Sequence, residues 1–239
     1  MKLTNDIDIV YILRNDIEPQ ELRYSLRSLK NFPHGKVWFF GGEPAYLKAD
    51  GQKYVAQRGD TPWSRVSYTL RQVCEDNDVT EDFWLFNDDF FVMKPLQEYV
   101  PRYNGTLMEH VAEVEARHGG HPSAYTAELR QTAKALEAKG YDTKNYACHV
   151  PILINREKAL KTLNEFPFVP MFRSLYGNQF DIGGVNLPDV KIAVINKEPD
   201  HEAELLSTAD NSWLVGKIGA YIREQFPEPC RYEEDLARE

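Results

Sequence analysis

Cysteine, positive charge and long apolar runs are all scarce in this 239-residue chain, and each scarcity excludes something. The three cysteines, Cys74, Cys148 and Cys230, are odd in number and widely spaced. They supply neither a disulfide framework nor the paired knuckles of a zinc site. Lysine and arginine total 28 against 37 aspartates and glutamates, a formal net charge of -9. Non-specific binding to phosphate backbones needs a surplus of the opposite sign, so a nucleic-acid acceptor is disfavoured, although a local basic patch would still permit one. No apolar run approaches the roughly 20 residues of a membrane span. The stretch from Met1 to Asp8 has no signal-peptide pattern, and with unpaired cysteines this points to a cytoplasmic setting. Repeats and low-complexity tracts are absent.

What is present is globular material: 42% hydrophobic, with 12% aromatic residues, enough for a core and for stacking a base or a sugar. Ile7-Asp8-Ile9-Val10-Tyr11-Ile12-Leu13 reads as a buried strand, followed by the polar turn Arg14-Asn15-Asp16. Pro19 opens a helix with Leu22, Leu26 and Leu29 on one face and Arg23, Arg27 and Lys30 off it. Val37 to Phe40, Tyr54 to Ala56 and Phe83 to Phe86 read as further strands. A helix from Trp63 carries Val66, Leu70, Val73 and Cys74 at helical spacing. Alternation of this kind predicts an α/β fold with a mainly parallel central sheet and flanking helices. Residues 107–140 form a polar, alanine-rich helical insertion or lid. A strand is expected from His149 to Ile154, a last strand from Val190 to Ile195, and one amphipathic helix from Trp213 to Phe226 with Leu214, Ile218, Tyr221 and Ile222 on its buried face. Residues 1–226 are thus expected to be a single catalytic domain, with 227–239 a charged, frayed tail.

Ligands of parallel sheets bind beyond the carboxyl ends of strands, which directs attention to Asn87-Asp88-Asp89. Two adjacent carboxylates between Phe86 and Phe90-Phe91 repel each other and are costly to desolvate. A bound Mg²⁺ or Mn²⁺ would relieve both problems, because such ions take one or two carboxylates plus substrate phosphate oxygens. The ion would then neutralise charge on a leaving diphosphate or nucleotide. The alternative is a plain turn capped by these side chains. His149 could be a hydrogen-bonded structural residue, a general base or a nucleophile. Arg173 could clamp a phosphate with its planar fork or make a surface ion pair. Arg23 and Arg27, one helical turn apart, could reach a pyrophosphate or lie on a solvated face. Gly41-Gly42 is explained by a turn as readily as by a phosphate loop. Trp63 and Tyr68 could stack a base or pack in the core, and His110, His118 and His121 read as surface residues.

In combination these segments resemble the Stealth family. Ile7 to Tyr11 resembles its first conserved region, and Glu21-Leu22-Arg23-Tyr24-Ser25-Leu26-Arg27-Ser28-Leu29 resembles the start of its second. Phe86-Asn87-Asp88-Asp89-Phe90-Phe91 resembles the end of that region. His149-Val150-Pro151, followed by Ile154-Asn155-Arg156, resembles the third, and Phe172-Arg173-Ser174 a later arginine segment. Stealth proteins include bacterial capsule polymerases and the lysosomal-targeting GlcNAc-1-phosphotransferase. The resemblance therefore implies transfer of a sugar-1-phosphate from a nucleotide sugar to a hydroxyl acceptor such as a glycan, as in polysaccharide biosynthesis. It also implies a divalent metal and an α/β fold like that of A-type glycosyltransferases. By resemblance, Asp8 and Asn15 would line the nucleotide-sugar site; Arg14, Arg23, Arg27 and Asn87 are further candidates for substrate contact. Asp88 and Asp89 would be the acidic, metal-binding pair, His149 the catalytic histidine and Arg173 the phosphate-binding arginine. Transfer of the bare sugar, or a non-catalytic carbohydrate- or nucleotide-binding module, are the competing functions.

Overall fold

A computed structural model describes residues 1–15, 18–48 and 51–234. Strand β1 (Asp8–Leu13) leads to α1 (Gln20–Ser28), β2 (Val37–Gly41), β3 (Gly51–Tyr54), α2 (Pro62–Glu75), β4 (Asp82–Phe86) and β5 (Phe90–Val92). After β6 (Arg102–Tyr103), α3 (Leu107–Arg117) and α4 (Ala124–Glu137) pack on each other as the expected helical lobe. The chain continues through β7 (Ile152–Asn155), α5 (Arg156–Glu165), α6 (Phe172–Gln179), β8 (Val185–Asn186), β9 (Lys191–Ile192), β10 (Leu205–Thr208), α7 (Asp210–Leu214) and α8 (Lys217–Gln225). No helix among the described residues is long and apolar enough to cross a membrane.

The central sheet has the order β3-β2-β1-β4-β7, parallel except for β7, which runs antiparallel to β4. Side chains alternate between faces, and both faces of β1 are covered. Ile9, Tyr11 and Leu13 join the core with Leu22, Leu26 and Leu29, whereas Val10 joins Leu70 and Val73 of α2 on the other side. Burial on both faces is why these strands read as unbroken apolar runs. A second sheet, β5-β10-β9, stands beside the first, and the chain passes from β4 into β5 through Asn87-Asp88-Asp89. Helix α2 begins at a capping box, Thr61 with Ser64, and has Pro62 in its first turn, where a missing N–H costs nothing.

The serines and arginines of the α1 run each have specific partners. Tyr11 Oη and Ser25 Oγ are 2.9 Å apart, and Ser25 Oγ donates to Phe90 O at 2.6 Å. Ser28 Oγ accepts from Val92 N at 3.0 Å. The two serines therefore fasten α1 to β5. Arg27 is not on a solvated face. Its Nε and Nη2 donate to the two carboxylate oxygens of Glu233 at 2.7 Å each, and its Nη1 donates to the carbonyls of Phe226 and Pro227. Arg23 adds a contact to Glu233 at 3.3 Å and lies over the Tyr46 ring, 3.8 Å from its centroid. Residues 228–234 accordingly do not fray: Tyr232 and Glu233 are buried, and Glu234 N donates to Tyr46 O. Residues 235–239 lie outside the described residues.

Other expectations need adjustment. The third strand ends at Tyr54 instead of starting there. The run Val190 to Ile195 contributes only the two residues of β9, and β10 follows it as a buried strand. The expected C-terminal helix is broken in two. Lys217 N donates to Ile195 O, and a Cβ on Gly219 would meet Trp213 O at 2.0 Å, so the two segments cross rather than continue. Trp213 is buried while Leu214 is exposed. The Gly41-Gly42 pair reflects close backbone approach: Gly41 has φ of 107°, and a Cβ there would sit 2.1 Å from Leu13 O.

Candidate functional site

The carboxyl ends of β1 and β4 lie side by side, with Tyr11 paired to Phe86, and open into a cleft of about 590 Å³. Asn87, Asp88, His149, Arg173 and Lys191 border it, with Trp63, Val66, Tyr125 and Phe172 among the residues completing the wall. Val66, at helical spacing with Leu70 and Val73, is exposed at this cleft, whereas those two are buried. Trp63 also faces the cleft, whereas Tyr68 stands under the Arg58 guanidinium, 5.4 Å from its ring centroid.

The acidic pair is split by its surroundings. Asp89 is buried; its Oδ2 accepts from Ser207 Oγ of β10 at 2.9 Å and from Lys191 Nζ of β9 at 3.1 Å. Asp88 turns toward the cleft. Burial pushes its carboxyl up to about 6, and the charge of Asp89 adds to this, while Lys191 and Arg14 pull the other way. A third carboxylate belongs to the group. Glu21 on α1 accepts from Thr208 Oγ1 at 2.7 Å. Burial raises its carboxyl to about 7, assisted by Asp88, Asp89 and Asp210 and opposed by the Thr208 hydrogen bond.

Both carboxyls with raised values bind protons more readily in the folded chain than in the unfolded one, where they ionise near about 4. Their contribution to stability is therefore present below about pH 4 and lost as pH rises through 6 to 7. Glu21→Gln, which keeps an acceptor for Thr208, should raise the melting temperature at pH 8 and leave it unchanged at pH 4. After allowance for solvent screening, the gain is about 1–2 kcal/mol, or roughly 2–8 °C. Equal melting temperatures of the two proteins at pH 8 would refute this reading of Glu21.

His149 precedes β7 instead of opening it. Its Nδ1 is 2.6 Å from Asp189 Oδ2, and its backbone N–H donates to Asp189 Oδ1 at 2.8 Å. Burial would raise the Asp189 carboxyl, but the His149 ring and the N–H groups of His149 and Lys191 more than offset this and hold it below the usual range. A charged carboxylate on Nδ1 leaves Nε2 as the nitrogen that can meet a substrate. The Phe90 ring meets the imidazole edge-on at 6.3 Å.

Arg173 has a different task from the one expected. Its Nη1 donates to the carbonyls of Cys148 and Val150, and its Nη2 to Leu85 O at 3.3 Å and Asn87 Oδ1 at 3.4 Å. Four of its five N–H donors are thus engaged with the residues flanking His149 and with the end of β4. It fastens the histidine loop to the Asn87-Asp88 turn and does not present an open fork.

The remaining expected residues divide clearly. Arg14 lies close enough for its charge to act on Asp88. Asn15 is engaged with Val55 O and Gln57 N at 3.4 Å each, beyond the cleft lining; Asp16 lies outside the described residues. Asp8 stands at the opposite end of β1, where its carboxylate accepts from Lys36 N at 2.8 Å and Trp38 Nε1 at 2.7 Å, so it does not line the site. Arg23 and Arg27 are held by Glu233. Among the lobe histidines, His110 Nε2 is 3.2 Å from the hydroxyl of Tyr125, and His118 Nδ1 contacts Val114 O. Asp189, Lys191 and Glu21 were not singled out in the sequence. The only signals were the position of Glu21 at the head of the α1 run and the i, i+2 spacing of Asp189 and Lys191, which puts both on one face of an extended segment.

A divalent ion fits Asp88, whose buried, repelled carboxylate it would relieve. It fits Asp89 less well, because Oδ2 already has two donors. Among the described residues, no three of His, Cys, Asp and Glu converge as a metal cage. An Mg²⁺-type site completed by substrate phosphates and water does not need one.

No protein-family model matches the chain, and no curated protein matches it. The resemblance to the Stealth family therefore rests on the quoted segments. Among solved structures, an active-site mutant of LgtC is similar over 94% of this chain and 98% of that one, with 12% sequence identity and a TM-score of 0.48.

Proposed function

We propose that the chain is a nucleotide-sugar-dependent transferase that moves a sugar-1-phosphate to a hydroxyl acceptor, glycan or related. The observation that carries this reading is the His149–Asp189 pair on the wall of the cleft that also holds Asp88. In this mechanism the acceptor hydroxyl lies at His149 Nε2, which takes its proton as the oxygen attacks the sugar-bearing phosphorus. The new P–O bond forms as the bond to the nucleoside monophosphate breaks. Asp189 keeps the imidazole in the required tautomer and stabilises its charge. Arg173 holds His149 and the Asn87-Asp88 turn at a fixed separation. Asp88 would hold an Mg²⁺ or Mn²⁺ ion, which supplies charge neutralisation at the diphosphate when bound. On the same reading, the α3–α4 lobe forms the acceptor-side wall through Tyr125, and residues 1–226 carry the catalytic unit.

Transfer of the bare sugar, as by an A-type glycosyltransferase, is favoured by one observation: Arg173, the residue expected to bind the transferred phosphate, has four donors on protein oxygens. Incubation with a panel of nucleotide sugars, Mn²⁺ and candidate acceptors separates the two. Nucleoside monophosphate is expected; nucleoside diphosphate would establish sugar transfer instead. Absence of any donor turnover or binding would end the transferase reading. Asp189→Asn should lower kcat by about 10²–10⁴-fold with KM changed far less, since it removes the orienting carboxylate without removing the base. An unaltered kcat would show that Asp189 is only structural.

A further inference from the structure

A donor diphosphate brought to Asp88 and Asp89 meets charge of its own sign, so the cleft must supply a cation from the protein as well as from any metal. Most of the arginines that the sequence offered for this task are engaged elsewhere. Arg173 is bound to three carbonyls and Asn87, Arg27 to Glu233 and two carbonyls, and Arg23 to Glu233 and the Tyr46 ring. Lys191 differs from them. It lies on the cleft wall with its side chain about one-third exposed, and among the described residues its ammonium makes a single hydrogen bond, to Asp89 Oδ2 at 3.1 Å. An ammonium has three donors, so two remain for a ligand. Asp89 keeps Ser207 as a second donor and does not rely on Lys191 alone. Two residues earlier on the same extended segment, Asp189 holds His149 and also accepts the backbone N–H of Lys191. The two short-range tasks, aiming the base and presenting a cation, thus come from one stretch of backbone.

We propose that Lys191 is the donor-phosphate-binding residue of this site, its ammonium bridging Asp89 and a phosphate oxygen of a nucleoside-diphosphate sugar. The inference rests on the transferase reading but goes beyond it, assigning the phosphate to a residue outside the motif segments. As the donor's P–O bond breaks, the negative charge gathering on the departing phosphate is met by this ammonium without any proton changing place.

Titration calorimetry with inorganic pyrophosphate tests the assignment without requiring turnover. In Mg²⁺-free buffer, Lys191→Met should weaken binding by about tenfold or more, and Lys191→Arg should restore most of it. Lys94→Met, which alters an exposed lysine paired with Glu202, should bind as the parent does. Asp89→Asn should tighten binding by roughly threefold to tenfold, because it frees the ammonium and removes a repelling charge. Most of that gain should be lost when Lys191→Met is added, because only the removed repulsion then remains. Equal affinity of the parent and Lys191→Met, or no pyrophosphate binding by the parent at millimolar concentration, would overturn the proposal. Should the nucleotide-sugar panel show no turnover while pyrophosphate binding still depends on Lys191, the phosphate site stands and the transferase reading falls. Normal turnover by Lys191→Met would remove the phosphate role and leave the transferase in place.

Discussion

His149→Ala is expected to reduce turnover by about 10²–10⁴-fold, the range lost when a positioned general base is removed, while leaving the fold intact. The ring is partly exposed, and its loss leaves a surface-accessible Asp189, which can be solvated and still accepts the backbone N–H of residue 149. The melting temperature should therefore fall by only a few degrees. His149→Gln, which keeps hydrogen bonding to Asp189 but provides no base, should be as inactive as the alanine variant. A role in holding the loop alone predicts the opposite pattern, with Gln retaining activity. Full activity in either variant would show that the acceptor is activated elsewhere, and donor binding measured on the inactive proteins separates lost chemistry from lost affinity.

The second large effect is on stability. Ending the chain after Phe226, where the helical pattern stops, should cost about 3–5 kcal/mol, because it leaves buried Arg27 without Glu233. At roughly 2–4 °C per kcal/mol for a chain of this size, the melting temperature should fall by about 6–20 °C. Glu233→Ala in the full chain should show most of this loss. Arg27→Met combined with Glu233→Ala should recover part of it, since the cost lies in the orphaned charge more than in the missing attraction. If Glu233→Ala melts within a degree of the parent, the ion pair contributes nothing and the tail is held by its other contacts, among them buried Tyr232 and the Glu234–Tyr46 backbone hydrogen bond.

What was legible in the sequence follows from how local each signal is. β1, β2 and β4 declare themselves because a strand buried on both faces must be apolar throughout. The carboxyl end of β4 as a site followed from that, and the cleft does gather Asn87, Asp88, His149 and Arg173. Pairings made at long range were not legible. The Arg27 side chain is off the leucine stripe, which local periodicity reads as exposure; the covering carboxylate comes from 206 residues away. Asp189 reaches His149 across 40 residues, and Lys191 reaches Asp89 across 102. β10 was missed because only two of its four residues, Leu205 and Leu206, are apolar, and α7 and α8 were merged because the break is made by a carbonyl from Ile195. Arg173 lines the cleft, but three of its four partners are backbone oxygens, which a sequence does not display.

Those four Arg173 hydrogen bonds have a mechanical consequence. They rivet the carbonyls on either side of His149 to Leu85 and Asn87 at the end of β4, so the histidine loop and the Asn87-Asp88 turn form one jaw. The strip that carries Asp189 and Lys191 is tied to the same jaw, through His149 and Asp89, and Tyr125 of the helical lobe stands on the wall as part of a different element. On the proposed mechanism, one side chain thereby sets in advance the distance between the proton acceptor and the phosphorus.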